Sequence, residues 1–356
     1  MRIVSIACVA SSACSLLFAG QAVAGRAPFA QPHGALYEMP RCPAPPRPVV
    51  SLKIGSMYAE GDKSFSNIDE ARQESRAEVL APVREFTAGV SHLANKYVAS
   101  GGADTYSGAC ALSWLNDWAR AGAMRHVSGD EAQFVRSVDL SGWALAYAQV
   151  RYLRIERNSP HAVIQSWLRA NANDMRSHVN SLTNVTARNN HRYWAGLAAI
   201  SVSINISEPS LGSWGLESAR VGLSQITREG TLPLELARKS RATHYHLYAA
   251  APLVMTAAIA RVNNVDLYSE YGGALHRLVR FATESIRYPK QMSVLAQASQ
   301  EPIDLHVPQS RQLLAWFEFY NKDFPGRVPA QRVIVQERPL RNAELGGDLT
   351  MLAASN

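Results

Sequence analysis

Two short stretches of the sequence hold residue types that suit proton transfer beside a carboxylate. The first, Asn189–Trp194, is a run of polar and aromatic residues directly before the apolar segment Ala195–Ile200. If this stretch and the apolar segment after it belong to one helix, Asn190, His191 and Trp194 fall at i, i+1 and i+4, roughly on one face. A helix N-terminus with asparagine caps also explains this pattern, without any chemistry. A second stretch favours the chemical interpretation.

The second stretch follows a Gly-x-Leu-Pro turn and combines cations with phenols. Arg238, Arg241, Tyr245 and Tyr248 are spaced at i, i+3, i+7 and i+10, which predicts one stripe on a helix. Because arginine offers planar, bidentate donors to carboxylates, this stripe would form an anion-binding wall. A solvated basic face with tyrosines at its edge is the alternative. The apolar continuation Ala249–Ile259 indicates a buried helix and argues against that alternative.

Together the two stretches suit removal of a proton next to a carboxylate, as at C5 of a uronic acid. Donors that neutralise the carboxylate stabilise the enolate-like intermediate, a base takes the C5 proton, and an acid protonates the departing O4. This chemistry requires no metal and no cofactor. The sequence lacks the G-x-S-x-G and H-E-x-x-H motifs and a glycine-rich phosphate loop. An inverting glycosidase is also disfavoured, because Asp139, Glu217 and Glu235 do not form an obvious carboxylate pair.

The elements that must position these residues are predicted to be helices. Apolar residues recur at helical spacing through most of the chain, as in Phe86, Val90, Leu93 and Tyr97. The segment Val333–Gln336 is the one candidate strand. Many helices joined by short loops predict antiparallel helical hairpins, which form an all-α, closed or nearly closed toroid. No change in composition marks a second domain.

The N-terminus predicts export. Residues 1–24 contain an arginine, an apolar run and an Ala-x-Ala end, as a secretory signal peptide does. Residues 25–356 are then expected to be a single domain in a bacterial periplasm, without a membrane anchor, because no later stretch is long and apolar enough. Two cysteines remain in this mature chain. In an oxidising compartment they predict one disulfide, Cys42–Cys110.

Two segments before the first helix are predicted to be irregular. Residues 25–50 are rich in proline and arginine and predict an extended arm. Residues 55–69 predict a mobile loop that could act as a lid. Tyr58 and Lys63 are its long functional side chains, and simple surface exposure explains them as well as a role in the lid does.

The charge of the chain favours a polyanionic partner. The net charge is +7, and the loss of one arginine with the signal peptide leaves +6. No run of lysine and arginine with interleaved aromatic residues marks a nucleic-acid surface. An acidic polysaccharide is therefore the expected partner, bound by a monomer.

The chemistry-bearing stretches resemble the alginate lyase family of polysaccharide lyases, family five. The resemblance is carried by Asn189–Trp194 and by a Leu-Pro turn followed by Arg238, Tyr245-His246, Tyr248-Ala249 and Pro252-Leu253. Weaker similarity extends over most of the mature chain, in Tyr97–Gly101, Cys110–Ala121, Trp316–Pro325 and Gly346–Thr350. The resemblance implies an incomplete (α/α) toroid with a deep cleft. It also implies an active site at Asn190, His191, Arg238 and Tyr245.

The expected activity is β-elimination on 1,4-linked polyuronates. Arg238 and Asn190 would neutralise the carboxylate, and Tyr245 would be the acid. Where C5–H and O4 lie on the same side of the sugar, as in mannuronate, Tyr245 would also be the base. Where they lie on opposite sides, His191 would be the base. The expected substrate-binding residues are Tyr58, Lys63, Arg192, Trp194, Arg241, Tyr248 and, although surface exposure explains it better, Arg341.

The loop around Met57 departs from the family. Alginate-specific members tend to have lysine where this chain has methionine. This difference implies broader action, on polymers such as polyglucuronate or hyaluronate. A non-catalytic periplasmic protein that binds polyuronates in the same cleft is the alternative function.

Overall fold

The computed structural model describes residues 25–355, so the predicted signal peptide, residues 1–24, lies outside the described residues. Helices dominate this range, as the sequence predicts. They are α1 (Glu70–Ala99), α2 (Thr105–Arg120), α3 (Asp130–Val150), α4 (His161–Ser181), α5 (Asn190–Ile206), α6 (Pro209–Gln225), α7 (Pro233–Leu236), α8 (Ala242–Val262), α9 (Glu270–Arg287), α10 (Pro289–Ala296), α11 (Pro308–Gln312), α12 (Phe317–Asp323), α13 (Gln331–Gln336) and α14 (Leu349–Ala354).

The strands are short and form three two-stranded pairs. Two pairs are parallel, and the third is antiparallel. They are β1 (Gly34–Leu36) with β4 (Leu153–Ile155), β2 (Ser51–Lys53) with β3 (His126–Ser128), and β5 (Arg341–Asn342) with β6 (Gly347–Asp348). The candidate strand Val333–Gln336 is wrong, because this segment lies inside α13. Its short apolar run does not distinguish a strand from a buried helical turn.

Helix α5 occupies the centre of the fold. It packs against α3, α4, α6 and α8, and every residue from Tyr193 to Ile206 is buried. A helix that is apolar all round is typical of such a position. Glycines allow its close approach to α6: a Cβ on Gly196 would lie 2.6 Å from the Cβ of Ser218. Consecutive helices α1–α2, α3–α4, α5–α6 and α8–α9 contact one another, as expected for antiparallel hairpins.

The N-terminal arm is bound to the outside of the first hairpin. The predicted disulfide Cys42–Cys110 is confirmed and joins the arm to α2. Two indole N–H groups of α2 also hold the arm: Trp114 donates to the carbonyl oxygen of Pro43 at 2.8 Å, and Trp118 donates to that of Pro46 at 2.9 Å. Carbonyl groups of the proline-rich arm thus pair with α2. The arm is not irregular throughout, because its residues Gly34–Leu36 form β1 and pair with β4. Within residues 25–355, no helix is both long and apolar enough to cross a membrane.

The loop of residues 55–69 is folded by its own polar groups. The carboxylate of Asp62 accepts hydrogen bonds from the backbone N–H groups of Ser64, Ser66 and Asn67 at 2.8–2.9 Å. A short antiparallel bridge joins Tyr58 to Ile68 at the base of the loop. These bonds give the loop a defined shape.

A buried histidine fastens the turn before α7 to α8. The Nε2 atom of His246 accepts the backbone N–H of Leu232 at 3.0 Å, and Nδ1 lies 2.7 Å from the carbonyl oxygen of Ala242. Both ring nitrogens are satisfied only when the ring is neutral, with its hydrogen on Nδ1. Burial lowers the pKa of His246 to about 4, against the opposing effect of the bond to Ala242.

Acid should therefore destabilise the fold through His246. Its pKa is lower in the folded chain than the ordinary 6.5, so the unfolded chain binds the proton first as the pH falls. The stabilisation that neutral His246 gives to the folded state is complete above pH 6.5 and is lost as the pH falls towards 4. The free energy of unfolding then decreases by on the order of 3 kcal/mol. Urea unfolding at a series of pH values should give a flatter profile for His246→Gln than for the wild type.

The exposed His306 provides the matched control. The His306→Gln variant should keep the pH dependence of the wild type. Equal slopes for His246→Gln and the wild type would show that the ring contributes nothing to acid lability.

Candidate active site

The first chemistry-bearing stretch forms the N-terminal turn of α5. Asn189 has an extended backbone, and its side chain accepts the backbone N–H of His191 at 3.0 Å. This cap explains why the helix begins at Asn190. The first turn of a helix has unpaired N–H groups and the positive end of the helix dipole, so Asn190 and His191 lie where negative charge is favoured.

The second stretch reaches the same region by a turn and not by one helical stripe, so the predicted stripe is wrong. Lys239 has a left-handed backbone with φ of 52°, which ends the helical path before α8 begins. The two arginines nevertheless converge on one ring. The guanidinium carbon of Arg238 lies 4.4 Å from the ring centroid of Tyr245, and that of Arg241 lies 5.7 Å from it.

The loop of residues 55–69 covers this group of residues. The hydroxyl of Tyr58 forms a short hydrogen bond with the hydroxyl of Tyr245, and Arg241 Nη1 donates to Tyr58 at 3.0 Å. Phe65 lies over Arg238, with its ring centroid 4.9 Å from the guanidinium carbon. Tyr58 therefore forms one cluster with Arg238, Arg241 and Tyr245. Its role had been left undecided by the sequence.

Burial keeps the phenol of Tyr245 protonated. It raises the pKa of Tyr245 far above the ordinary 10, the neighbouring Tyr58 raises it further, and the positive charges of Arg238 and Arg241 oppose this. Burial also raises the pKa of Tyr58, against the effect of Arg241. At neutral pH, Tyr245 therefore has a proton to donate.

His191 is a neutral imidazole in this site. Burial lowers its pKa to about 3, and the positive charges of Arg238 and Arg76 add to the effect. Its ring stacks on Phe134 of α3, with the centroids 3.7 Å apart. A neutral ring can accept a proton, as a base must. Phe134 was not singled out from the sequence, because it is an ordinary apolar residue in a helix.

The carboxylate of Glu235 links the two stretches. It accepts the backbone N–H of Asn190 at 3.0 Å, and the amide Nδ2 of Asn190 lies 3.2 and 3.1 Å from its two oxygens. Arg238 Nε lies 3.8 Å from Glu235 Oε2. Burial raises the pKa of Glu235, while Arg238 and the bonds from Asn190 lower it. This link could not be predicted from the sequence, in which Glu235 stands only as a glutamate two residues after Pro233 and three before Arg238.

A family model described as alginate lyase matches residues 53–292 of the chain. A polysaccharide lyase of Stenotrophomonas maltophilia is 34% identical over 321 residues, which cover 88% of this chain and 90% of the relative. The chain belongs to the alginate lyase family. Alginate lyases of Azotobacter vinelandii and Pseudomonas aeruginosa are each 28% identical, and the aligned parts cover 88% and 87% of this chain and 84% of each relative. The chain is accordingly a polysaccharide lyase.

Solved structures share the fold. Alginate lyase A1-III from Sphingomonas species A1 has a TM-score of 0.73 at 22% identity, covering 89% of both chains. A point variant of the same lyase in complex with a tetrasaccharide has a TM-score of 0.76 at 22% identity, covering 87% of this chain and 85% of the other. An alginate lyase from Bacteroides ovatus has a TM-score of 0.57 at 14% identity, covering 81% and 77%. The predicted incomplete (α/α) toroid is confirmed.

Two aromatic residues of the family motifs lie behind the cluster. Trp194 has no exposed surface, and its ring packs against Tyr248 with the centroids 5.1 Å apart. Tyr248 is half-buried, and its ring centroid lies 6.4 Å from that of Tyr245. Trp194 therefore supports Tyr248 from inside the protein, in place of the predicted direct contact with the substrate.

The structure does not bring Arg192 to the cluster. Its Nε donates to Ser218 at 2.8 Å, and its guanidinium carbon lies 4.3 Å above the ring of Trp214. Both partners belong to α6, because a residue two positions after Asn190 points to another side of α5. The prediction that Arg192 binds the substrate is therefore wrong.

The two remaining candidates are exposed. Lys63 lies in the loop with its side chain in solvent. Arg341 pairs with Asp348 at 2.9 Å and borders a cavity of about 500 Å³ between α1 and the β5–β6 pair.

A second cavity, of about 420 Å³, adjoins the loop of residues 55–69 and is bordered by Arg76. This arginine lies close enough to His191 to lower the pKa of its ring. Among residues 25–355, no three His, Cys, Asp or Glu side chains are grouped as a metal ion requires.

Proposed function

We propose that the protein cleaves 1,4-linked polyuronates by β-elimination and leaves a 4,5-unsaturated uronate at the new end. Alginate, and its mannuronate blocks in particular, is the first expected substrate. The observation that supports this most is the convergence of Arg238 and Arg241 on the protonated phenol of Tyr245. The names of the family and of its relatives agree with this chemistry.

The uronate carboxylate would bind between Arg238 and Asn190. Because Nδ2 of Asn190 is nearly equidistant from both oxygens of Glu235, one N–H can be shared between them. The second N–H is then left for the substrate. Because Asn190 has no exposed surface in this structure, this N–H would reach a substrate only after the residues that cover it move. Donors arranged in advance stabilise the enolate-like intermediate, in which the carboxylate carries additional negative charge.

Proton transfer would use Tyr245 and His191. The base removes the C5 proton, the electron pair forms the C4–C5 double bond, and the C4–O4 bond breaks as the acid protonates O4. For syn elimination, Tyr245 would first lose its phenol proton to solvent, with the guanidinium groups stabilising the phenolate. The phenolate would then take the C5 proton and pass that proton to O4. For anti elimination, the neutral His191 would take the C5 proton and Tyr245 would protonate O4.

Residues 55–69 would act as a lid. The hydroxyl of Tyr58 occupies the position beside the Tyr245 hydroxyl that O4 of the substrate needs. Substrate binding therefore requires Tyr58 to give up this hydrogen bond. Because Tyr58 also accepts from Arg241, the same movement frees one N–H of this arginine for the polymer.

Substrate breadth and export belong to the same proposal. Met57 in the lid supports action beyond mannuronate, on polyglucuronate or hyaluronate. The basic net charge and the cationic cluster suit any polyuronate. Residues 1–24 support export to the periplasm, and the disulfide Cys42–Cys110 suits an oxidising compartment.

A panel of polymers tests the proposal. Purified protein of residues 25–356 is mixed with polymannuronate, polyguluronate, polyglucuronate and hyaluronate, and with uncharged dextran as the control. Ultraviolet absorbance from the unsaturated product should rise with polymannuronate and with at least one other polyuronate, and should not rise with dextran. Polymer binding without any absorbance would overturn the proposal and favour a non-catalytic binding protein.

A further inference from the structure

Glu235 contacts both groups that we assign to the uronate carboxylate, and its own carboxylate would repel that of the substrate rather than bind it. No part of Glu235 is exposed. Its oxygens accept from the backbone and the side chain of Asn190, and Oε2 lies 3.8 Å from Nε of Arg238. A buried carboxylate is destabilising unless it is paired and hydrogen-bonded. Its partners here are two residues of the proposed active site.

Glu235 is positioned by the short helix α7. Pro233 starts the four-residue helix α7, which holds Glu235 beside the first turn of α5. The left-handed turn at Lys239 separates Arg238 from α8, and the guanidinium of Arg238 lies over the ring of Tyr245 in α8. The i and i+3 spacing of Glu235 and Arg238 brings these two side chains together on one turn, and the carboxylate meets Asn190 on its other side.

We propose that Glu235 is a positioning residue of the elimination reaction, which holds the amide of Asn190 and the guanidinium of Arg238 as one carboxylate-binding unit. The inference rests on the proposed function, because the unit matters only if it meets a uronate. The bond from Nδ2 to Glu235 directs the second N–H of Asn190, and the negative charge of Glu235 keeps Arg238 beside it. Both donors are thus in place before charge develops on the substrate.

A purely structural role is the alternative. Glu235 also accepts a backbone N–H at the start of α5, where a carboxylate stabilises the helix dipole. Its removal could then lower stability without acting through the side chain of Asn190. The two roles differ in whether the effect of Glu235 depends on that side chain.

A double-mutant cycle separates the two roles. Glu235→Gln keeps the size of the side chain, but it has one acceptor oxygen in place of two and no charge beside Arg238. With alginate as the substrate, this variant should lower kcat by about 10²-fold and leave KM nearly unchanged, because the donors are misplaced while the cations remain. In an Asn190→Ala background, the same substitution should lower kcat by clearly less than in the wild-type background, because only its effect through Arg238 remains.

Glu318 is the matched control. It is also buried and binds Arg338 through two hydrogen bonds of 2.7 and 2.6 Å, but these residues lie outside the cluster. Glu318→Gln should lower stability and leave kcat per folded molecule unchanged. The folded fraction of each variant is measured by near-ultraviolet circular dichroism, and Glu235→Asp serves as a second variant that keeps the charge on a shorter side chain.

The outcomes are distinct. If the wild type does not cleave alginate or any other polyuronate, the proposed function itself fails. If the wild type is active, equal losses from Glu235→Gln in both backgrounds, or kcat as high as in Glu318→Gln, would overturn the positioning role. If neither Glu235 variant folds, Glu235 serves the fold alone and the inference is equally overturned.

Discussion

Tyr245→Phe should lower kcat by at least ~10²–10⁴-fold, the range typical of a lost general acid or base. The substitution keeps the ring on which Arg238 and Arg241 converge, so packing and cation–π contacts remain. It removes the one proton that Tyr245 can deliver to O4. Polymer affinity should barely change, because Arg238 and Asn190 still bind the carboxylate. Initial rates from the absorbance of the unsaturated product, together with equilibrium polymer binding, measure both effects.

Tyr320→Phe controls for the loss of a buried tyrosine hydroxyl. Tyr320 is buried and its hydroxyl pairs with His276 at 2.8 Å, away from the cluster. This variant should keep kcat. Near-normal turnover of a folded Tyr245→Phe variant would show that Tyr245 only packs at the edge of a helix, and Tyr245 could not then be the acid.

Arg238→Ala should lower kcat/KM by on the order of 10³-fold, through both a higher KM and a lower kcat. The guanidinium meets the substrate carboxylate in the ground state and in the transition state, so both binding and rate depend on it. The loss is increased because Glu235 stays behind as a buried carboxylate without its cation, which repels the substrate. Initial rates over a range of polymer concentrations separate the two parameters.

Arg192→Ala is the matched control within the same family motifs. Arg192 lies two positions from Asn190, yet its guanidinium contacts Ser218 and Trp214 of α6. Its loss should leave kcat/KM within a few-fold of the wild type, on the scale of an interaction that does not meet the substrate. A loss comparable to that of Arg238→Ala would contradict the placement of Arg192 outside the active site.

The helical architecture could be predicted from the sequence because it follows from local patterns. Apolar spacing reports which face of each segment is buried, and the run after Trp194 is apolar all round because α5 lies at the centre of the fold. The disulfide followed from counting the two cysteines of the mature chain. The boundaries of α7 and α8 could not be predicted, because the left-handed backbone of Lys239 has no glycine to mark it.

The residue types needed for elimination were also visible in the sequence. Asn190, His191, Arg238 and Tyr245 lie in two compact stretches, and their side chains define what chemistry is possible. The side chains that contact these four residues in space could not be predicted. Tyr58 contacts Tyr245 across 187 positions of sequence, and Glu235 contacts Asn190 across 45.

Only the tertiary structure decided which of these groups meet. Helical spacing relates residues within one helix, but it does not determine which helices pack together or what a loop covers. Glu235 in α7 meets Asn190 at the start of α5 as well as Arg238, while Arg192 points to α6. The sequence alone determined the chemical groups and the helical scaffold, because both are local properties. The carboxylate-binding unit depends on contacts between distant segments, and so does the covering of Tyr245 and Arg238 by Tyr58 and Phe65. Only the folded chain defines such contacts.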